Sequence, residues 1–406
     1  MASIHPFRAL RPAAAAAPAV SSVPYDVVSI EEARKLASDD PLSFLHVTRS
    51  EIDLPEGTDP YAPEVYAKAK ANLVSLRERA PLIVDDAPSL YFYRLRMGDH
   101  EQTGIAGCFS VDEYESDVIK KHERTRRDKE DDRTRHILEL RAQTGIVFLT
   151  YQAASGVDAV GRRATSAPPL YNFTAGDGVT HTVWRASEED GRALIAEFAR
   201  IPALYIADGH HRAASAARAR AELRSRGGGP HEADTFIAVA FPDNQMNVLP
   251  YNRTVKDLAG FTPAGFLEAL RSLVRVSEAT ASPVRKGDVR MYLQGRWYAL
   301  DVAGLQPEDG SRAASLDVAL LQRHVLEGLL KIGDIRSDKR IDFVGGARGT
   351  KALESAVDAG PAAVAFSMFP VTLEDLMVIS DAGGIMPPKS TWFEPKLRDG
   401  LLVHTI

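Results

Sequence analysis

The stretch "LYIADGHHRAASA", residues 204–216, sets Asp208, Gly209, His210, His211 and Arg212 between an apolar run and an alanine-rich one. The apolar run reads as a strand, and "HHRAASAARARAELRSR" reads as a helix closed by "GGGP". The polar group therefore falls at a helix start, where the first four N–H groups lack partners and the peptide dipoles leave partial positive charge. A phosphate fits that place, and Arg212 with a histidine would add donors. Gly209 lets the backbone approach a ligand or take a turn closed to other residues. Asp208 would repel a free phosphate. It points to a second reactant, as base for a hydroxyl, partner of a histidine or ligand of a magnesium ion. Adjacent histidines on a helix diverge by about 100°, so a two-histidine chelate at His210 and His211 is disfavoured. The competing structural reading is Asp208 as a helix cap with partly exposed histidines.

Three other stretches carry candidate chemistry. In "IKKHERTRRDKEDDR" the His122-Glu123 pair lacks the second histidine of a zinc-protease helix, since Arg126 stands three residues after Glu123. Lys120, Lys121, Arg124 and Arg126 would surround a phosphate or carboxylate there, against the alternative of a solvated helix. "DFVGGARGTKALE" offers a glycine-containing strand-to-helix turn with Arg348 and Lys351, yet it matches neither common phosphate motif. "GGIMPPKSTWFEPKLRDGLL" presents Lys389, Ser390, Thr391, Trp392, Glu394 and Lys396 after a double proline that stiffens the backbone. No G-x-S-x-G elbow, kinase signature set or multi-cysteine metal motif occurs.

The elements that must position these residues alternate helical and strand-like patterns. Val65, Ala69, Leu73 and Leu76 recur at helical spacing, while "LYFYRLRM" and "GIAGCFSV" read as strands around the polar turn "GDHEQTG". The densely charged residues 112–145 read as two helices, or a helix and a loop. "IVFLTY" and "TFIAVAFP" supply further strands, "PAGFLEALRSLV" a helix, and "DVRMYLQGRWYALDV" a hairpin through "QGR". The alanine run of "FRALRPAAAAAPAV" reads as a flexible surface loop after a strand. Together these predict an α/β or α+β protein, mixed sheets with flanking helices, in three approximate sections: 1–160, 161–311 with the DGHHR motif, and 312–406.

Composition narrows the function classes. The 406 residues are 45% hydrophobic and carry 49 basic against 55 acidic side chains, a net charge of −6, which gives no electrostatic reason to expect nucleic acid or a membrane surface. One cysteine, Cys108, rules out an intrachain disulfide, and no apolar run reaches the roughly 20 residues of a membrane span. The expectation is a cytoplasmic protein with a small-molecule partner, with a homodimer left open.

Six segments in order, "PFRALRP", "VPYDVVS", "SFLHVTRSEIDLP", "IKKHERTRRDKEDDR", "YIADGHHRAASA" and "MPPKSTWFEPK", resemble the hallmarks of the bacterial conserved domain-of-unknown-function family 1015 over nearly the whole chain. Locally, "DGHHR" between a strand and a helix is similar to the phosphate corner of the ParB and sulfiredoxin-like superfamily, which includes free serine kinases. That resemblance implies Gly209, His210, His211 and Arg212 on nucleotide phosphate, Asp208 as the catalytic base or magnesium ligand, and Glu51 as a second catalytic carboxylate. Lys121, His122, Glu123, Arg126, Lys389 and Ser390 are the candidate substrate contacts. The implied activity is transfer of phosphate from ATP or ADP, with Mg2+, to a small hydroxyl-bearing metabolite such as free serine. The alternatives are a non-catalytic nucleotide-binding regulator and a phosphate-ester hydrolase. A cradle of amides, imidazoles and a guanidinium is a sufficient kind of machinery, because phosphoryl transfer is catalysed mainly by positioning and charge neutralisation.

Overall fold

In the computed structural model the apolar period at Val65, Ala69, Leu73 and Leu76 forms the helix Pro63–Arg79, with all four side chains buried on one face. The structure describes residues 1–227 and 231–406, which divide into two units: Met1–Met246 with Pro395–Ile406, and Asn247–Glu394. The section limits expected at 160 and 311 fall inside these units, because sheets that pair distant segments set where the packing concentrates.

The protein is mixed α/β, as its alternating patterns predict. An eight-stranded sheet organises the first unit. Its order is Ile119–Lys120, Leu204–Asp208, Val147–Tyr151, Thr235–Pro242, His100–Ser110, Tyr91–Met97, Thr180–Arg185 and Tyr171–Thr174. Phe92, Phe109, Leu149, Phe198, Leu204, Ile206 and Phe236 are fully buried in the core on this sheet. A second, four-stranded sheet ends the chain within the same unit, pairing Val403–Thr405 with Ala9–Pro12 and Ala142–Gln143.

One pairing places the candidate site. Leu204–Asp208 runs parallel to Ile119–Lys120, with Leu204 opposite Ile119 and Tyr205 opposite Lys120. Parallel strands deliver their C-terminal ends to the same edge, so the residues after Lys120 emerge beside Asp208 and the turn that follows it. Beyond that turn the helix His210–Ser225 is buried on most sides, which its small alanines permit. It packs on the helix Arg127–Leu140, where Ser215 Oγ donates to the Glu130 carbonyl at 3.2 Å.

Several local expectations change. The alanine run is not a loop: it coils into the turns Ala14–Ala16 and Ala17–Val20, burying Ala17 and Val20, as alanine's helix preference allows. The charged residues 112–145 hold two helices, Val111–Glu115 and Arg127–Leu140, and residues 121–126 between them are irregular, following the strand pairing at Ile119–Lys120. The first hairpin turns on Gly98 and Asp99 alone, with Met97 opposite His100, so most of the polar stretch "GDHEQTG" is strand. The stop expected after the helix His210–Ser225 reaches into residues 228–230, which lie outside the described residues.

The second unit holds a sheet in the order Arg275–Glu278, Arg296–Asp301, Asp288–Leu293, Val364–Ser367, Asn247–Val255 and Ile341–Gly345, with Thr391–Glu394 also pairing with Asn247–Val255. The hairpin expected through "QGR" turns on Gln294 and Gly295, both with positive φ, 48° and 75°. Among the described residues no helix is long and apolar enough to cross a membrane.

Candidate functional site

Asp208 ends its strand, and Gly209 turns the chain into the helix with φ 96° and ψ 29°, a left-handed conformation that favours glycine. Gly209 caps the sixteen-residue helix without a side-chain hydrogen bond, so no side chain covers the helix start from the cap position.

The two histidines bind backbone. The N–H of His122 donates to His210 Nε2 at 3.4 Å, and the N–H of Arg126 donates to His211 Nε2 at 3.0 Å. Both Nε2 atoms are therefore acceptors, which puts the proton of each neutral ring on Nδ1. This doublet fastens the irregular segment 122–126 to the helix start, a role that needs neighbouring side chains pointing apart. His210 Nδ1 lies 4.0 Å from Glu123 Oε2, and the rings of His122 and His210 meet edge to face, centroids 4.4 Å apart. Burial pulls His122 down to about 4, and burial with the neighbouring His122 holds His210 well below the ordinary imidazole range. His122 is 2% exposed, and its Nδ1 has no hydrogen-bond partner among the described residues.

Asp208 is neutralised where it stands. Lys396 Nζ lies 2.8 Å from its Oδ2, and Arg212 comes within 3.5 Å of its Oδ1. Burial alone would raise this carboxyl, but Lys396 and Arg212 outweigh it and hold Asp208 well below the usual carboxylate range. Arg212, expected among the phosphate donors, is turned inward. It donates to the Ile146 carbonyl and, at 3.2 Å, to Asp26. A Cβ built on Gly209 would stand 3.2 Å from its Cζ, and one on Gly145 3.1 Å from its Cδ, so the side chain lies in a slot that both glycines leave open. The reason is electrostatic, since Asp26, Asp208 and Asp399 all act on this guanidinium. Asp399 is 1% exposed and accepts the Ile146 N–H, and its Oδ2 has no hydrogen-bond partner among the described residues. Burial, with Asp26 adding to it, pushes Asp399 up to about 7 against the pull of Arg212.

Sequence reasoning misses Asp26 and Asp399, and it names Lys396 only among the polar residues after the double proline, not as the partner of Asp208. Asp26 and Lys396 do sit in "VPYDVVS" and "MPPKSTWFEPK", and the one available signal was that each segment carries a charge among apolar or rigid residues. Of the expected substrate contacts, His122 and Glu123 come to the corner. Lys121 is engaged by the Tyr114 carbonyl at 2.7 Å and Asp117 at 2.6 Å, and Arg126 by Asp128 at 2.8 Å, although its N–H reaches His211. Glu51 is buried in the turn Ser50–Asp53, 3.2 Å from Arg49, and acts on Arg133. Lys389 and Ser390 belong to the second unit, where Ser390 Oγ donates to the Pro387 carbonyl at 2.5 Å.

Behind the corner is a cavity of about 20 Å³ lined by Tyr25, Arg133, His136, Thr144 and Arg212. It has room for about one water, so it is not a nucleotide pocket. Among the described residues no three His, Cys, Asp or Glu side chains gather as a metal cluster. A magnesium ion carried on phosphates needs only one or two carboxylates from the protein, and Asp208 can supply one.

Fold and site together define a mixed α/β protein with an uncapped strand-turn-helix corner beside an ionised aspartate. Its residues 4–319 match DUF1015, described as a protein of unknown function, and the chain belongs to that family. No curated protein matches its sequence. Among solved structures it is similar to SbnI with a C-terminal truncation from Staphylococcus aureus, at 12% identity and a TM-score of 0.39 over 73% of this chain and 86% of that one. A mutant free serine kinase in complex with AMP is 13% identical, TM-score 0.36, over 73% of this chain and 91% of that one. A conserved hypothetical protein from Pyrococcus furiosus is 14% identical, TM-score 0.35, over 73% and 94% respectively.

Proposed function

We propose that the corner binds nucleotide phosphate and that the protein transfers a phosphoryl group to the hydroxyl of a small metabolite, with free serine as the first acceptor to test. The observation that carries this reading is the uncapped helix start at Gly209 beside a carboxylate held ionised. The first amides of the helix receive a phosphate, and Asp208, offset by Lys396, faces the acceptor hydroxyl or a magnesium ion. Magnesium, where bound, would neutralise charge on the phosphates. His210 and His211 serve by holding the segment 122–126 against the corner, and Arg212 by holding Asp208 and Asp26. Free serine kinase structures with AMP and ADP are among those the chain resembles, at TM-scores below 0.5, and the corner's own geometry carries the reading.

The Asp208–Lys396 pair also favours a second reading. A carboxylate held so far below its ordinary range is a weak base, which suits a protein that binds nucleotide without turning it over. Calorimetry with ATP or ADP and magnesium, followed by phosphorus NMR of reactions with serine and a panel of hydroxy metabolites, separates the two. Binding with a phosphorylated product that Asp208→Asn abolishes supports transfer. Binding with no product across the panel leaves the regulator, and the absence of nucleotide binding overturns both.

A further inference from the structure

One imidazole nitrogen beside the corner is left without a use. His122 is 2% exposed, and its Nδ1 makes no hydrogen bond among the described residues. Buried polar atoms in native folds are nearly always paired, so an orphan of this kind calls for a bound group or a water that completes the bonding. The ring lies against the Gly209 turn from both sides. Asp208 and the Ile206 carbonyl, at the end of the strand, both act on it. Beyond the turn it meets the ring of His210, the first helical residue, edge to face with centroids 4.4 Å apart. Its own N–H donates to His210 Nε2 at 3.4 Å, which ties residue 122 to the helix start.

The motif's own side chains are committed elsewhere. His210 and His211 each use Nε2 to accept a backbone N–H from the segment 122–126, and Arg212 is turned to the Ile146 carbonyl and Asp26. The first intrahelical bond is that of the Ala213 N–H, to the Gly209 carbonyl at 3.0 Å, so the amides ahead of it have no acceptor within the helix. Burial holds His122 down at about 4, which leaves its ring neutral near pH 7. A neutral imidazole carries its proton on whichever nitrogen its partners favour.

We propose that His122 Nδ1 donates a hydrogen bond to the phosphate received at this helix start, as the side-chain contact that His210, His211 and Arg212 do not supply. The proposal rests on the reading of the corner as a phosphate site and adds to it a ligand-binding residue from outside the DGHHR motif. A tetrahedral oxyanion suits the arrangement, since one oxygen takes the Nδ1–H while others take the helix amides. A neutral imidazole makes that bond without a second buried charge.

Nitrogen NMR of the histidine side chains in the full chain tests it, with the His122 signals assigned by their loss in His122→Asn. Inorganic phosphate and ADP, each without added metal, should move the His122 Nδ1 signal saturably at the concentrations where calorimetry detects binding. Sodium chloride at matched ionic strength should not. His122→Asn keeps an amide near the Nδ1 position and should bind ADP within several-fold of the native chain, whereas His122→Leu should bind it about tenfold more weakly or worse. Thermal unfolding shows whether both variants are folded, and if His122→Leu is not, the titration of the native chain decides alone. Phosphate bound with the His122 signal unmoved, or with affinity intact in folded His122→Leu, would overturn this proposal and leave the corner reading standing. No binding of phosphate or ADP to the native chain would overturn both.

Discussion

Lys396 reaches back across 188 positions to place its ammonium 2.8 Å from the Asp208 carboxylate. This pair offsets the charge of Asp208 where it stands, so the aspartate does not cancel the partial positive charge of the helix start.

Replacing the lysine should expose that balance. Lys396→Met leaves Asp208 with Arg212 alone, and stability at pH 7 should fall by about 2 kcal/mol, the scale of a hydrogen bond to a charged group in a partly exposed pair. Asp208 is held below its unfolded value, so its contribution is complete above about pH 4 and is lost as pH falls through the folded value. The gap between native and variant should therefore narrow below pH 4. Urea unfolding at a series of pH values measures it, and a gap that does not narrow in acid would contradict the electrostatic account.

The histidine clamp predicts acid sensitivity at a higher pH. Burial holds His122 at about 4 and His136 and His181 at about 3, with His210 also well below its ordinary value. An imidazole depressed in the folded state destabilises as pH falls from its unfolded value near 6.5 towards the folded one. Between pH 7 and 5 the protein should lose about 1–2 kcal/mol for each such histidine. His211→Ala should act locally, speeding hydrogen exchange at the Arg126 amide, whose acceptor it removes, at a cost of about 1 kcal/mol. Unchanged exchange at Arg126 would mean that the bond does not hold the segment.

Asp399 should behave in the opposite sense. Its carboxyl is raised by burial to about 7, so the folded state binds the extra proton between about pH 4 and 7 and loses stability as pH rises through that window. Asp399→Asn keeps an acceptor for the Ile146 N–H and removes the charge. The variant should match the native chain near pH 5 and exceed it by about 1–2 kcal/mol at pH 8. Thermal unfolding at the two pH values checks this, and a variant weaker at pH 8 would show that Arg212 depends on the Asp399 charge.

The corner was legible because its signals are local. An apolar strand, a glycine and an alanine-rich helix in succession admit few other conformations, and they form as Leu204–Asp208, Gly209 and His210–Ser225. What surrounds the corner was not legible, since it depends on pairings between distant segments. Nothing near Asp208 in the chain announces Lys396, and nothing near Arg212 announces Asp26, 186 positions away. Arg212 shows the limit most clearly. Its type and position suit a phosphate donor, yet three carboxylates from separate elements turn it inward. Whether the segment 121–126 is helix or loop depends on distant pairing in the same way, since its charge run suits either until strand pairing at Ile119 fixes its start.

Gly209 joins the backbone and electrostatic sides of the site, and one substitution separates them. Alanine at φ 96° bears left-handed strain of about 1–2 kcal/mol. Its Cβ would also stand 3.2 Å from the Arg212 guanidinium, displacing a side chain that holds Asp26, Asp208 and the Ile146 carbonyl. Gly98, in the first hairpin turn at φ 58° with nothing within 4 Å of a built Cβ, supplies the control. Gly98→Ala should cost about 1 kcal/mol from backbone strain alone and leave nucleotide binding unchanged. Gly209→Ala should cost more than that and weaken nucleotide binding at least about tenfold, or about 1.4 kcal/mol. Chemical unfolding and calorimetry on both variants compare the two effects. Equal losses of stability, with nucleotide affinity intact in Gly209→Ala, would show that the turn is structural and that the helix start does not receive the phosphate.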